Sequence, residues 1–427
     1  MRERIDQTKQ SLNQVQGAEC IKAIHQQLDT LLLDVINRII PYVAAGVIAG
    51  TLLKKIITRK FKDITEINKL NKSLPGNVTS EMGLELGDLA DVLRELPEVQ
   101  AYLKAARDQT FYVGLDHVPG GKTFRQAFET FIGKYGMRCP GEIDLTNPRW
   151  YEAPNQLTSA LLSHIRSLKS GEHRHRFAEG EKEAEAAAQH ILGAAEGCYL
   201  KRKILTRLIT VFRNTGGLRE HHKYLLVAIM SECKKTIMAE ADVLVQKGVL
   251  AQAEDIYYLS LEEITQLSKN DIAEKFSELI AKRKEQYQWH QSLKPPRVMT
   301  SEGEIVVIPA NRGPVPEGTL IGSPVSAGVA EGIARVIFRP ENAVLNEGEI
   351  LVAPHTDPGW TPLFPSAIAI ITEVGGLMTH GAVVAREYGI PAVVGVDDAT
   401  TLIKDGQRIR VDGDQGYVVL LDGEKVG

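Results

Sequence analysis

The hydrophobic period of this chain changes once, and that change restricts its fold more than any other feature. Up to about Gln291 apolar residues recur every three to four positions, the spacing of an amphipathic helix. Ile204, Leu205, Leu208, Ile209, Val211 and Phe212 form one stripe, ending at the helix-stopping run Asn214, Thr215, Gly216, Gly217. Leu226, Met230, Cys233 and Ile237 form another, predicting a helix over 219–247 that stops at Gly248. Residues 181–195, rich in Ala and Glu, are a third helix former. The stretch 111–154 reads as irregular, with Pro119-Gly120-Gly121, Cys139-Pro140-Gly141 and Asn147-Pro148 as turn signals. Beyond residue 318 short β-branched runs take over, at 334–338, 349–353, 367–371, 392–395, 408–411 and 417–420, separated by turns such as Asp405-Gly406 and Asp412-Gly413. One helix fits among them, from His380 to Tyr388. Between the two regimes, 292–318 carries Pro295, Pro296, Pro309, Pro314 and Pro316, the composition of a semi-stiff spacer. The expected fold is multidomain α and α/β. A large mainly helical domain covers 1–291, a proline-rich linker 292–318 and a small β-rich domain 319–427.

Charge divides at the same place. Lys+Arg 50 against Asp+Glu 54 gives a net of -4, which does not suggest a nucleic-acid partner. From Thr319 onward there are 7 basic and 14 acidic residues, a net of -7, leaving 43 against 40, or +3, before it. The four cysteines, Cys20, Cys139, Cys198 and Cys233, form no C-x-x-C pair and are expected as free thiols of a reducing cytoplasm. The start, Met1 to Asp6, lacks the apolar core of a signal peptide. Residues 39–53 are uncharged but fall short of the roughly 20 residues needed to cross a bilayer. They are expected to form a buried helix, with Gly46 and Gly50 admitting a close neighbour, and no membrane partner is expected.

The densest chemical signal is Thr372-Glu-Val-Gly-Gly-Leu-Met-Thr-His-Gly-Ala-Val-Val-Ala-Arg-Glu-Tyr-Gly-Ile-Pro391. A buried strand runs into a loop at Gly375 and Gly376, Thr379 offers an N-cap hydroxyl, and a helix opens at His380. Free N–H groups at a helix N-terminus, beside glycines that let the backbone approach closely, make an anion site. Neutral imidazole, with an ordinary pKa of about 6.5, is a competent nucleophile there. From spacing alone, a plain turn with a capping histidine fits equally well.

This block, with the preceding Leu351-Val-Ala-Pro-His-Thr-Asp-Pro-Gly-Trp-Thr-Pro-Leu-Phe364 and the following Val411-Asp-Gly-Asp-Gln-Gly416, resembles the mobile phosphohistidine domain of the PEP-utilising enzymes. The match falls on Thr372, Gly375, Gly376, Thr379, His380, Ala382, Ala385, Arg386 and Glu387. The resemblance implies a β/β/α swivelling domain in which His380 carries a phosphoryl group on the swinging linker, with Gly375, Gly376, Thr379 and Arg386 binding the phosphate. It also implies ATP and Mg2+ for the overall reaction. ATP would pyrophosphorylate His380 and the terminal phosphate would leave, so that phospho-His380 modifies an acceptor and AMP and phosphate are released.

No pyruvate-binding barrel is expected after the histidine domain, so the order of parts is similar to the rifampin phosphotransferase subfamily. There the helical domain holds the acceptor. Segments 119–124, 135–144, 147–150, 219–224 and 255–263 resemble its central region. Arg219 and Lys223, spaced i, i+4 with Glu220 adjacent, are candidates to stabilise the transferring group and accept a proton from a hydroxylated small molecule. Arg138, Glu142 and Asp144 are candidates for the acceptor pocket or for a structural polar network.

Three features are set aside. Gly120-Gly-Lys-Thr123 has Asp116 where a phosphate-binding loop needs Gly, so it reads as a turn. His173-Arg-His175 reads as an exposed charged segment rather than a metal site, and no metal ligands are assigned. Lys54, Lys55, Arg59, Lys60 and Lys62 read as a solvated helix end.

No ATP-grasp counterpart is found in the first 110 residues, which read as helix. A separate ATP-grasp protein or a missing N-terminal domain is therefore the expected partner. The expected activity is an ATP-dependent dikinase-type phosphotransferase, incomplete alone, passing phosphate from His380 to a small hydroxylated acceptor. A catalytically silent ligand-binding or regulatory protein is the alternative.

Overall fold

A computed structural model describes the chain except residues 1, 16, 62–64, 196, 268–272, 294–298, 305–318, 377–378 and 422–427. The five linker prolines lie outside the described residues. The chain forms two compact units, and they do not follow chain order. One contains 1–39, 143–147 and 222–309, and the other 40–142, 148–221 and 310–427. The helical region is thus shared between both units, and the β-rich domain groups with the helices of the second. Periodicity marks helices without saying which faces meet, so this grouping had no sequence signal.

The first unit packs the helices Ala18–Asp34 and His221–Gln246 around one core. Cys20, Ile21, Ile24 and Leu31 share it with Leu225, Ile229, Cys233, Ile237, Ala241 and Leu244, a run at three- and four-residue intervals that keeps one face turned inward. The second helix was predicted from residue 219, but it opens at His221. The helix Tyr199–Gly216 continues through the expected stop and passes into a 3-10 turn, Gly217–Glu220. Gly217 is there for contact: a Cβ at this position would overlap the carbonyl of Pro75.

In the second unit, the helix Ile40–Phe61 lies along Tyr199–Gly216. Gly46 meets Thr215 and Gly50 meets Phe212, while Ala49, Leu53 and Ile57 are buried with Leu205 and Ile209. The expected burial holds for that stripe alone. Tyr42, Val47, Ile48, Leu52 and Ile56 are exposed, because a helix apolar all round has more faces than one neighbour covers. The helical segment Glu19–Lys60 is apolar and long enough to cross a membrane by length and composition, with 11% of its most apolar window buried.

The stretch read as irregular holds the helix Gly121–Tyr135, whose Gly121, Phe124, Phe128, Phe131 and Tyr135 are buried. Gly120, at φ +75°, turns the chain into it, and Lys122 is exposed. His173 is a correction. It is buried beneath the helix Val78–Arg94, Nε2 3.0 Å from Asp88, while His175 is exposed as expected.

The C-terminal region is one mixed sheet. Its strands are β1 (Thr319–Ile321), β2 (Ser323–Ser326), β3 (Val329–Val336), β4 (Glu349–Ala353), β5 (Ala369–Thr372), β6 (Ala392–Val394), β7 (Arg408–Asp412) and β8 (Tyr417–Leu420). They are ordered β1-β8-β7-β3-β4-β5-β6-β2. β3 to β6 run parallel, and β4, β5 and β6 are nearly all buried, which explains their unbroken apolar runs. β1, β2 and the start of β3 were not predicted, since Gly322, Pro324 and Gly328 break the pattern. The crossover from β5 to β6 carries the helix His380–Tyr388, as read from the sequence, and Gly389 at φ +67° ends it.

Candidate active site

His380 is the first residue of its helix, with Thr379 in the N-cap position. The Thr379 hydroxyl does not cap the helix as expected; it donates to the Gly376 carbonyl at 2.8 Å and closes the glycine loop instead. A Cβ at Gly375 would press on Val394 of β6, whereas Gly376 has open space around it. Both imidazole nitrogens are engaged. Nδ1 lies 3.2 Å from Glu220 Oε2 and Nε2 lies 2.9 Å from Thr361 Oγ1, with the His380 side chain 8% exposed.

The chemistry of the partners sets the tautomer. An ionised carboxylate only accepts, so Nδ1 carries a proton, and in the neutral ring it is the Nε2 lone pair that is left to receive the Thr361 hydroxyl. Burial works against the charge on Glu220. The hydrogen bond and charge of His380, followed by Arg219 and Arg138, more than offset it and bring the carboxyl down to about 2. Glu220 is therefore ionised across the neutral range and too weak a base to accept a proton from a hydroxyl. Its geometry suits it to orient the ring.

The remaining predicted residues are placed as follows. Arg219 sits in the 3-10 turn with Nε 3.6 Å from Glu220 Oε1. Lys223 lies on the His221–Gln246 helix, past the junction with that turn, so the pair does not sit on one continuous α-helix as expected. Arg138 and Glu142 are a fully buried pair at 3.4 Å. Arg149 secures their loop, donating to the Glu142 carbonyl at 2.7 Å. Asp144 is exposed in the first unit, and its Oδ1 accepts from the backbone and hydroxyl of Thr146. Arg386 is largely buried, donates to the Val325 carbonyl of β2 at 2.9 Å, and is lowered by burial to about 10.

Sequence reasoning missed Thr361, although it lies within the quoted segment 351–364. It also missed the partners of Glu387. That buried carboxyl takes the Asn77 amide at 2.6 Å and contacts the Ser80 hydroxyl, at the start of the Val78–Arg94 helix. Burial raises it to about 7, opposed by the bonds from Ser80 and Asn77; the charge of Glu220 adds to the rise and Arg219 counters it. Because the folded value exceeds the ordinary 4.5, the folded chain holds the extra proton between about 4.5 and 7, and stability falls as pH rises through that window. Relative to Glu387→Gln, the native chain should lose on the order of 2–3 kcal/mol over that range in urea unfolding. A difference that stays flat with pH would exclude the raised carboxyl.

Residues 345–416, which contain His380, match the family model described as the PEP-utilising enzyme, mobile domain, and 38–220 match that of the rifampicin phosphotransferase fourth domain. The chain belongs to the PEP-utilising enzymes. Among relatives of this PEP-utilising chain, a rifampicin phosphotransferase of Bacillus cereus is 42% identical over 98% of this chain and 48% of its own length. One from Streptomyces sviceus is 46% identical over 82% of this chain and 41% of its own length. A probable phosphoenolpyruvate synthase of Staphylothermus marinus is 49% identical over 23% of this chain and 12% of its own. The chain spans about half the length of the rifampicin phosphotransferases it matches.

Proposed function

We propose that this chain is the acceptor-binding and phosphohistidine portion of a cytoplasmic dikinase-type phosphotransferase, with Nε2 of His380 as the carrier atom. The observation that carries the reading is the bracket on the imidazole: Glu220 on Nδ1 fixes the proton there and leaves the Nε2 lone pair facing only a hydroxyl. Thr361 occupies the place a phosphoryl group takes when Nε2 is loaded, so loading requires that contact to open.

In transfer, an acceptor oxygen bonds phosphorus as the Nε2–P bond breaks. The bond pair stays on Nε2, and the hydroxyl proton leaves with the freed ring as imidazolium. Glu220, ionised and in contact with Nδ1, stabilises that cation, while Arg219 and Arg138 stand beside it to offset charge on the moving group. Gly375, Gly376, Thr379 and Arg386 are the candidates to bind the phosphoryl group. Arg138 and Glu142 remain candidates for the acceptor pocket.

ATP and magnesium, which the family's chemistry calls for, are assigned in this reading to an ATP-grasp protein or domain, in keeping with a chain that spans about half the length of its relatives. The names of the relatives make rifampicin the first acceptor to try. With ATP, magnesium and an ATP-grasp partner, acid-labile phosphate should build up on the chain and be discharged by the acceptor. Failure to load in the presence of an active partner would refute the carrier reading.

A further inference from the structure

We propose that Glu387 and Tyr388 are positioning residues for the acceptor half of the reaction: a plug that seats the phosphohistidine domain on the first turns of the Val78–Arg94 helix. The role rests on the carrier reading above and adds to it the place where the carrier parks. Asn77 is the N-cap of that helix, its side chain accepting from the Thr79 N–H at 2.9 Å, and the same side chain donates its amide to Glu387. One residue thus starts the helix and receives the carrier.

Three further contacts close the seat. Ser80 gives its hydroxyl to the Glu387 carboxyl, the Ser73 N–H donates to the Glu387 carbonyl at 3.3 Å, and the Tyr388 hydroxyl donates to the Ser80 carbonyl at 3.1 Å. The Tyr388 hydroxyl lies directly over Gly83, where an added Cβ would overlap it. Glycine inside a helix costs about 1 kcal/mol relative to alanine, and here its bare backbone is what admits the ring.

The geometry separates the plug from the chemistry. His380 begins the helix that ends at Tyr388, so the reactive end and the seated end are about 12 Å apart along one rigid rod. Seating the far end fixes where Nε2 lies without touching the phosphoryl group. The plug itself is made of polar bonds and one ring over a glycine, beside a buried apolar contact that the 3-10 segment Pro358–Ser366 makes with the same helix.

The decisive variant is Gly83→Ala. It favours the helix intrinsically and overlaps the Tyr388 hydroxyl, while the Thr361 methyl stays at an ordinary contact distance of 3.7 Å. The expected result is a larger radius of gyration by X-ray scattering and labelling of His380 by phosphoramidate at least tenfold faster, with unchanged helical circular dichroism. Tyr388→Phe in the same chain removes the overlapping oxygen and should bring both readings back within about twofold. Glu387→Ala, altered on the carrier side, should open the chain in the same way. If Gly83→Ala and Glu387→Ala both stay closed, or if Tyr388→Phe fails to restore closure, the seat is wrong. If scattering responds as expected and His380 is labelled in no variant, the seat stands and the carrier reading falls.

Discussion

His380→Asn should lower formation of acid-labile phosphate by at least about 10⁴-fold, the scale on which loss of an activated nucleophile is felt. The expectation is this large because the two groups in contact with the ring, Thr361 and Glu220, are poor substitutes. Thr361 is fully buried, and its hydroxyl has no base to activate it once the imidazole is gone. Glu220 is a carboxylate, a poor nucleophile toward phosphorus. The chain has 11 histidines, so the measurement must locate the label and not merely count it. Phosphopeptide mapping at alkaline pH after phosphoramidate or enzymatic loading does this. Label spread over other histidines in the variant at the native rate would defeat the assignment. The substitution also strands Glu220 without its ring partner in a buried position, which should cost about 1–3 kcal/mol of stability, so the variant is compared at a temperature where both chains are folded.

Legibility in the sequence followed the range of the interactions. The helix His380–Tyr388 was readable because its signals are local: a glycine loop before it, Gly389 after it and one buried face between. β4, β5 and β6 were readable because strands covered on both faces need continuous apolar residues. The helix Gly121–Tyr135 was hidden by turn residues on both flanks, although Phe124, Phe128, Phe131 and Tyr135 carry the right period. His380 came from a dense local motif, while the residues that hold its ring did not. Glu220 was singled out only as a neighbour of two cations, and Thr361 and Asn77 not at all. Glu220 is 160 residues from His380, and Asn77 is 310 residues from Glu387. Pairings across such separations leave no periodic trace. The asparagine before Val78 does read as a helix start, but nothing in that signal says that its amide faces a carboxyl on another element.

The second large effect is expected from Glu220→Gln, which keeps size and polarity while removing the charge. The native carboxylate can only accept, so it selects the Nδ1–H tautomer. A glutamine amide can turn its NH2 toward Nδ1, which drives the proton to Nε2 and consumes the lone pair that must bond phosphorus. Carboxylate-to-amide changes behind a catalytic histidine cost about 10⁴-fold where the wrong tautomer results. Here, with a 3.2 Å contact and Arg219 and Arg138 still nearby, loading of His380 should fall by about 10²–10⁴-fold. A purely structural role would lower stability and leave the ring unchanged, so the deciding measurement is the pair of ring ¹⁵N shifts of His380. In the native chain they should report a protonated Nδ1 and a bare Nε2, and in Glu220→Gln a mixture or the reverse. Glu220→Asp retains the charge on a shorter arm and should keep the native tautomer with a smaller loss of rate. Native ring shifts and native loading in Glu220→Gln would remove Glu220 from the mechanism and leave Thr361 as the group that orients the ring.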